Sequence, residues 1–202
     1  GVVHMRHTHL PEHKFVKGQP ETGKELADDL ERIALNFGSE NIAACIVEPI
    51  SGSTGTLVPP KGYLKRLREI CNKHDILLIF DEVITGWGRT GSSFASKEYG
   101  VTPDLMTMAK ATTNGIVPMG VVAVKEEIYD TIVNASPDGV IELFHGYTYS
   151  GIPVAVAAAL AVQDIFDKED IFNRAKSLSS YFLDGLFSLK DIKCIDNIRG
   201  YG

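Results

Sequence analysis

Two short apolar runs, each ending at a charged residue, constrain the fold of this chain most strongly. The first spans Ile76 to Phe80 and stops at the acid pair Asp81 and Glu82. The second spans Leu105 to Ala109 and stops at Lys110. Runs of this length are typical of strands that are buried on both faces of a parallel sheet. Ligands of such sheets bind beyond the carboxyl ends of the strands, so two neighbouring strands would bring the carboxylate and the amine into one crevice.

The rest of the chain alternates predicted helices with predicted strands. Apolar residues recur at the helical period after Thr22, which forms a capping-box pattern with Glu25. Periodicity and turn residues predict helices over residues 22–37, 60–73, 125–133, 153–167 and 170–189, and further strands over 42–47, 118–124 and 192–198. This order predicts an α/β fold, a three-layer α/β/α sandwich around a mainly parallel sheet.

A lysine and an acid at the mouth of a buried sheet suit one type of covalent chemistry. Partial desolvation frees a lysine amine to attack a carbonyl group and form a Schiff base. Pyridoxal phosphate (PLP) uses such a lysine, and it needs an acid beside its pyridine nitrogen so that the ring accepts electrons. Asp81 and Lys110 fit these roles. A turn-capping aspartate and a solvated lysine explain the same spacing, because strand-end acids and lysines are common.

Composition excludes several other classes of protein. The 20 basic and 26 acidic residues give a net charge of -6 without a dense basic cluster, which argues against nucleic acid as a partner. The longest small-apolar run, residues 154–162, is too short to span a membrane. The three cysteines are odd in number and widely spaced, as expected for reduced thiols in a cytoplasmic protein. The histidines near the start lack the cysteine or acid cluster that a metal site needs, so we expect no metal.

Three motifs in the same order resemble the class III, or ω, aminotransferases of PLP fold type I. They are DEVITGWGRTG (Asp81 to Gly91), PDLMTMAKATTNGIVPMG (Pro103 to Gly120) and HGYTYSGIP (His145 to Pro153). The similarity extends over almost the whole chain and includes VEPISGSTG (Glu48 to Gly55). It is strongest toward the subgroup that uses ω-amino acids or amines with pyruvate.

The resemblance implies roles for four residues. Lys110 would hold PLP as a Schiff base and move protons, and Asp81 would keep the pyridine nitrogen protonated. Val83 would pack on one face of the ring. Thr148 would contact the cofactor phosphate of the partner subunit in a homodimer with a shared active site, although an ordinary helix cap explains Thr148 equally well. The implied reaction is ping-pong transfer of an amino group from an amine to a keto acid such as pyruvate.

The chain departs from the family pattern at two positions and in length. Ser53 stands where many relatives have a glutamate, as in the subgroup that uses pyruvate, and Ile152 stands where a histidine is usual. Family members are about twice as long, so we expect a fragment that lacks the Ser/Gly-rich turn for the cofactor phosphate. Residues 1–167 would belong to the large PLP-binding domain. Residues 168–202 would supply a helix and the first strand leading into the small carboxyl-terminal domain.

Three alternatives remain open at this point. A PLP-dependent aminomutase or a decarboxylating relative would keep the same lysine and acid. A catalytically incomplete piece would fold or pair without turnover. A dinucleotide-binding oxidoreductase is disfavoured, because no Gly-x-Gly-x-x-Gly turn follows the first strand. The sequence does not name the amine donor.

Overall fold

The computed structural model describes residues 1–202 and is built around one four-stranded sheet with the strand order β1-β2-β3-β4. The strands are β1 (Ala44–Val47), β2 (Leu77–Asp81), β3 (Leu105–Met108) and β4 (Val121–Val124). β2 pairs in parallel with both β1 and β3, and β4 runs antiparallel to β3. The predicted α/β fold with a mainly parallel sheet is therefore confirmed.

Six α-helices connect and flank these strands. They are α1 (Asp28–Phe37), α2 (Tyr63–His74), α3 (Ala95–Tyr99), α4 (Glu126–Asn134), α5 (Pro153–Lys168) and α6 (Ile171–Phe187). All five predicted helices appear, with ends that differ from the expected ones by a few residues, and α3 was not predicted. None of the helices is long and apolar enough to cross a membrane.

The capping box predicted at the start of the first helix is wrong. Gly23 has a left-handed φ of 109°, which separates Thr22 from the helical turns that follow. A 3₁₀ turn covers Lys24–Ala27, and the α-helix begins only after Ala27, without a side-chain cap. Thr22 contributes elsewhere, since its carbonyl oxygen accepts a hydrogen bond from His13 Nε2 at 2.9 Å.

The hydrophobic core lies between one face of the sheet and the pair α1 and α2. Leu78 and Phe80 of β2 point into it and are completely buried. The two helices contribute apolar side chains at helical spacing, namely Leu30, Ala34, Leu64, Leu67, Ile70 and Cys71. Each large side chain buried in this way stabilises the fold by about 1.5–3 kcal/mol.

The opposite face of the sheet is exposed. Side chains alternate along a strand, and the strand register places the outward-facing set on one surface: Ala44, Ile46, Leu77, Ile79, Asp81, Leu105, Thr107, Val122 and Val124. Ile46 is 62% exposed and Val122 is 58% exposed. The sequence predicts that the run beginning at Ile76 is buried on both faces. In the structure of residues 1–202 this is wrong, because α1 and α2 both pack against the core face of the sheet and leave this face uncovered.

The strand predicted over residues 192–198 is absent. After α6 the chain forms turns, in which Ile192 N–H donates to Leu189 O and Ile195 N–H donates to Ile192 O. A strand needs a neighbour that satisfies its backbone groups, and no strand lies beside this segment. It is tied instead to the start of the chain, where Phe15 N–H donates to Asn197 Oδ1 at 3.0 Å.

Asp104 ties three elements together at the start of β3. Its backbone N–H donates to Leu78 O and its Oδ2 accepts the Leu78 N–H, both at 2.7 Å. The same buried carboxylate pairs with Arg68 of α2 at 2.6 Å and with Lys125, beyond β4, at 2.8 Å. Burial alone would raise the pKa of Asp104, but the Leu78 N–H, Lys125 and Arg68 together hold the pKa below its usual value.

Replacing Asp104 by Asn should lower the free energy of unfolding by about 3 kcal/mol at neutral pH, because Arg68 is left half-buried without its counter-charge. Urea denaturation measures this change. As a matched control, Asp130→Asn on the exposed side of α4 should change the free energy by less than about 0.5 kcal/mol.

The pH dependence of this difference gives a second check. The folded pKa of Asp104 is depressed, so its stabilising contribution is fully present above the unfolded value of about 3.9 and is lost as the pH falls through the folded value. The gap between wild type and Asp104→Asn should therefore narrow below about pH 4. A gap that stays constant down to pH 2 would contradict this electrostatic account.

Candidate active site

The structure places Asp81 and Lys110 at the same edge of the sheet. Asp81 is the last residue of β2 and stands in register with Thr107 of the parallel neighbour β3. Lys110 follows the end of β3 after a single intervening residue. Because parallel strands end at a common edge, the carboxylate and the amine follow adjacent strand ends. The two groups form no ion pair, so their charged atoms lie more than 4.0 Å apart.

Asp81 is half-buried, and its carboxylate has no cation partner within the chain. Its one hydrogen bond comes from the backbone N–H of Val83, which donates to Oδ1 at 3.0 Å. Beside it on the same face, the Oγ1 of Thr107 is buried and has no hydrogen-bond partner. The edge therefore carries a carboxylate without a counter-charge and an unpaired hydroxyl group next to each other.

Lys110 begins the 3₁₀ turn Lys110–Thr112, and its side chain is exposed. Its φ of 46° lies in the left-handed region, which a residue with a Cβ rarely adopts. The backbone N–H groups of Thr113 and Gly115 donate to its carbonyl oxygen at 3.4 and 3.2 Å. The sequence predicts that this amine is partly desolvated. That prediction is wrong for the structure of residues 1–202, in which the turn after β3 leaves Lys110 exposed at the surface.

Glu82 has a structural role that the sequence does not indicate. It is completely buried without a cation partner, and its carboxylate accepts three hydrogen bonds. Thr85 Oγ1 donates to it at 2.9 Å, and the N–H groups of Ala95 and Ser96, in the first turn of α3, donate at 2.7 Å. The acid pair at the end of β2 is thus divided, with Glu82 holding the following loop and Asp81 facing the open edge. The spacing between Glu82 and Thr85 is the one feature of the sequence that could have indicated this role.

Trp87 connects that loop to the lysine turn, a contact that the sequence did not indicate. Its indole Nε1 donates to Thr112 Oγ1 at 3.0 Å, and its ring packs against Phe94 with centroids 4.8 Å apart. Phe166 of α5 lies 6.0 Å from the same ring. The segment after Asp81 and the segment after Lys110 are therefore in direct contact.

Val83 and Thr148 occupy different surroundings. Val83 is half-buried directly beyond Asp81, as its place in the chain requires. Thr148 is exposed and makes no hydrogen bond to Asp81 or Lys110. It does not cap a helix, because α5 begins at Pro153 and its N-cap residue is Ile152. The structure thus brings three of the four predicted site residues to one edge, and Thr148 makes no hydrogen bond to any of them.

The third strand end is also organised by a carboxylate. Glu48 follows β1, and its Oε2 accepts the backbone N–H of Gly52 at 2.9 Å, which folds the Ser51–Gly55 loop back on the strand. Arg199 donates to the carbonyl oxygen of Gly55 at 2.8 Å from the other end of the chain. No group of three or more His, Cys, Asp or Glu side chains is arranged to hold a metal ion.

Comparison with known proteins identifies relatives over the full length of the chain. The family model described as aminotransferase class-III matches residues 2–202. An omega-aminotransferase of Caulobacter vibrioides is 56% identical over 203 aligned residues, which cover 100% of this chain and 46% of the relative. A beta-alanine–pyruvate aminotransferase of Pseudomonas aeruginosa is 50% identical and covered to 45%. The chain thus spans about half the length of the curated relatives it matches.

Solved structures agree with this grouping. A thermostable (S)-enantioselective omega-transaminase from Thermomicrobium roseum superposes with a TM-score of 0.83 at 44% identity, over 88% of this chain and 39% of that chain. A PLP-bound amine transaminase from an uncultivated Pseudomonas species gives a TM-score of 0.82 at 40% identity, over 88% of this chain and 40% of that chain. These matches and the family model together show that the chain belongs to the class-III aminotransferase family.

Proposed function

We propose that this chain is part of a PLP-dependent aminotransferase that moves an amino group from an ω-amino acid or amine to a keto acid such as pyruvate. The observation that carries the proposal is the parallel pairing of β2 and β3, since it brings Asp81 and Lys110 to adjacent strand ends. The names of the relatives support the pairing of an amine with pyruvate. They do not favour an aminomutase or a decarboxylase.

The residues at the sheet edge fit the cofactor. PLP needs an acid for its pyridine nitrogen and an amine for its aldehyde, and it supplies a ring that accepts electrons from the carbon being deprotonated. Asp81 offers a half-buried carboxylate that no cation of the chain neutralises, and the unpaired Thr107 hydroxyl lies beside it. Lys110 offers an exposed amine beyond the next strand end. Val83 adds an apolar β-branched side chain that we assign to one face of the ring.

Each residue then has a defined task. Asp81 holds a proton at the pyridine nitrogen, because a carboxylate near a cation at a partly buried site contributes about 4 kcal/mol. Lys110 would hold the cofactor through its Nζ, because an amine at this edge is the group that the aldehyde of PLP needs. When it is not bound to the cofactor, Lys110 Nζ would act as the general base and acid that takes up and returns the proton of the substrate carbon. Two half-reactions of this kind, the second with the keto acid, complete a ping-pong cycle.

We assign residues 1–167 to the large cofactor-binding domain and residues 168–202 to the start of a second domain. In support, the main core cluster is formed entirely by residues between Leu26 and Val101. The later segment adds no residue to this cluster, and it contacts the unit through polar groups, such as Asn197 with Phe15, Arg199 with Gly55 and Asp184 with Lys17. We further propose that the protein is a homodimer in which Thr148 contacts the cofactor phosphate bound by the partner subunit, in accord with the exposure of residues 141–150.

Lys110→Ala should abolish covalent attachment of PLP. Borohydride reduction of the wild-type chain with PLP, followed by peptide mass spectrometry, should place the label on Lys110. Lys97→Ala is the matched control, because Lys97 is an exposed lysine on α3 without an ion pair, and this variant should label as the wild type does. Labelling that is spread over surface lysines and survives Lys110→Ala would refute the proposal.

Asp81→Asn should keep the covalent label but slow amino-group transfer by about three orders of magnitude, since about 4 kcal/mol of charge stabilisation is lost from the ring nitrogen. Single-turnover kinetics with β-alanine and pyruvate measure the change in the whole enzyme. A decrease of less than tenfold in the rate of amino-group transfer would contradict the role assigned to Asp81.

Thr148→Val should weaken the affinity for PLP by about tenfold, because one hydrogen bond to a charged phosphate oxygen is lost. Equilibrium titration by absorbance measures the affinity, and sedimentation velocity verifies that the dimer is retained. Thr131→Val, at an exposed position on α4, is the control and should leave the affinity unchanged. Equal affinities for wild type and Thr148→Val in a dimer would contradict a shared site.

A further inference from the structure

The buried hydroxyl group of Thr112 links the loop after Asp81 to the turn that carries Lys110. Thr112 is 3% exposed, and its Oγ1 accepts a hydrogen bond from Trp87 Nε1 at 3.0 Å. The same hydroxyl donates to Ala109 O, the carbonyl directly before Lys110, also at 3.0 Å. A hydroxyl that donates one bond and accepts another in a buried site fixes the relative position of both partners.

The Trp87 side of this link is rigid. The loop is closed at its base by Glu82, whose carboxylate accepts the N–H groups of Ala95 and Ser96. Inside the loop, the Trp87 backbone N–H donates to Ser93 O at 2.6 Å, and its ring packs against Phe94. The loop that carries the indole is thus closed by a buried carboxylate, and the indole ring itself packs against Phe94, which makes it a firm anchor for what it contacts.

The turn that begins at Lys110 has a strained backbone, which contacts with neighbouring residues must stabilise. A left-handed φ at a residue with a Cβ costs about 1–2 kcal/mol, so the turn keeps this conformation only where neighbouring contacts enforce it. The lysine side chain is exposed and gives no contact of its own that would hold the turn. The Thr112 hydroxyl makes the one side-chain hydrogen bond between this turn and the loop that follows Asp81.

We propose that Trp87 is a positioning residue for Lys110 and acts through the hydroxyl group of Thr112. The link fixes where the amine stands relative to Asp81, on the preceding strand end. The inference rests on the proposed role of Lys110 as the residue that binds PLP. It adds a determinant that the strand order does not supply, because β3 ends before the turn begins.

The test uses variants that remove one hydrogen-bonding group each. Trp87→Phe keeps an aromatic ring without the N–H, and Thr112→Val keeps the shape without the hydroxyl. Thr112→Ser restores the hydroxyl and serves as the rescue variant. Thr113→Val is the matched control, because Thr113 is buried in the same turn and its hydroxyl bonds to Val117 O without contacting Trp87.

Two readouts are measured for every variant. The first is the rate at which PLP becomes fixed to Lys110 on borohydride quenching. Trp87→Phe and Thr112→Val should each slow this rate by about tenfold, and the double variant should be no slower than the slower single variant, as for two groups in one interaction. Thr112→Ser and Thr113→Val should stay within about twofold of the wild type.

The second readout needs no cofactor. Hydrogen exchange of the backbone amides that bond to Lys110 O, those of Thr113 and Gly115, should become about fivefold faster in Trp87→Phe and Thr112→Val and stay unchanged in Thr112→Ser. Unchanged exchange, additive effects on the labelling rate, or an equal loss in Thr113→Val would each overturn the positioning role. Failure of the wild type to label at Lys110 would instead refute the proposed function, while the exchange data still decide whether Trp87 holds the turn.

Discussion

The register between β2 and β3 is the constraint on which the candidate site depends, and Asp104 sets it. The backbone N–H of Asp104 donates to the carbonyl oxygen of Leu78, and its carboxylate accepts the Leu78 N–H. Neither strand can therefore slide along the other without breaking both hydrogen bonds. A shift by one residue would turn every side chain of β2 to the other face of the sheet. Asp81 would then point into the core beside α2, and Phe80 would face the open side. The ion pairs to Arg68 and Lys125 add a penalty to any such shift, because they hold the carboxylate from two further elements.

The second organising charge is Glu82, and its neighbours differ from those of Asp104. No cation approaches it, so its charge is balanced by hydrogen-bond donors alone, two of them at the amino end of α3. A buried carboxylate costs several kcal/mol unless its oxygens are satisfied, which makes the arrangement of residues 82–96 highly specific. The same chain segment carries Val83 and Trp87, and it begins directly after Asp81. One buried acid therefore defines the path of a loop whose other residues remain available for chemistry.

The sequence predicted the parts of this structure that follow from local patterns. Apolar runs predicted all four strands of the sheet, and Asp81 and Lys110, at or just beyond the ends of β2 and β3, stay a predicted site. Three errors share one cause, which is that the outcome depends on residues far away in the chain. Thr22 does not cap a helix because Gly23 turns the backbone and His13 takes its carbonyl. Residues 192–198 form no strand because no other strand lies beside them. The β2 run is covered on only one face because α1 and α2 pack against the same face of the sheet. The Trp87–Thr112 bond spans 25 residues, and no periodic pattern reports such a contact.

The position of Lys110 at the sheet edge and the local environment of its amine have separate causes in this fold. The strand order brings the lysine to the correct edge with backbone interactions alone, and those interactions would act on any residue at that position. The exposure of the amine shows that residues 1–202 give it a location but no enclosing pocket. The left-handed backbone at the same residue is held partly within the turn, because the N–H groups of Thr113 and Gly115 donate to the Lys110 carbonyl oxygen. The buried Thr112 hydroxyl group adds a hydrogen bond from outside the turn, to an indole that packs against an aromatic neighbour. The strain at Lys110 is therefore maintained in part from the neighbouring loop, and this couples the position of the amine to the loop that begins at Asp81.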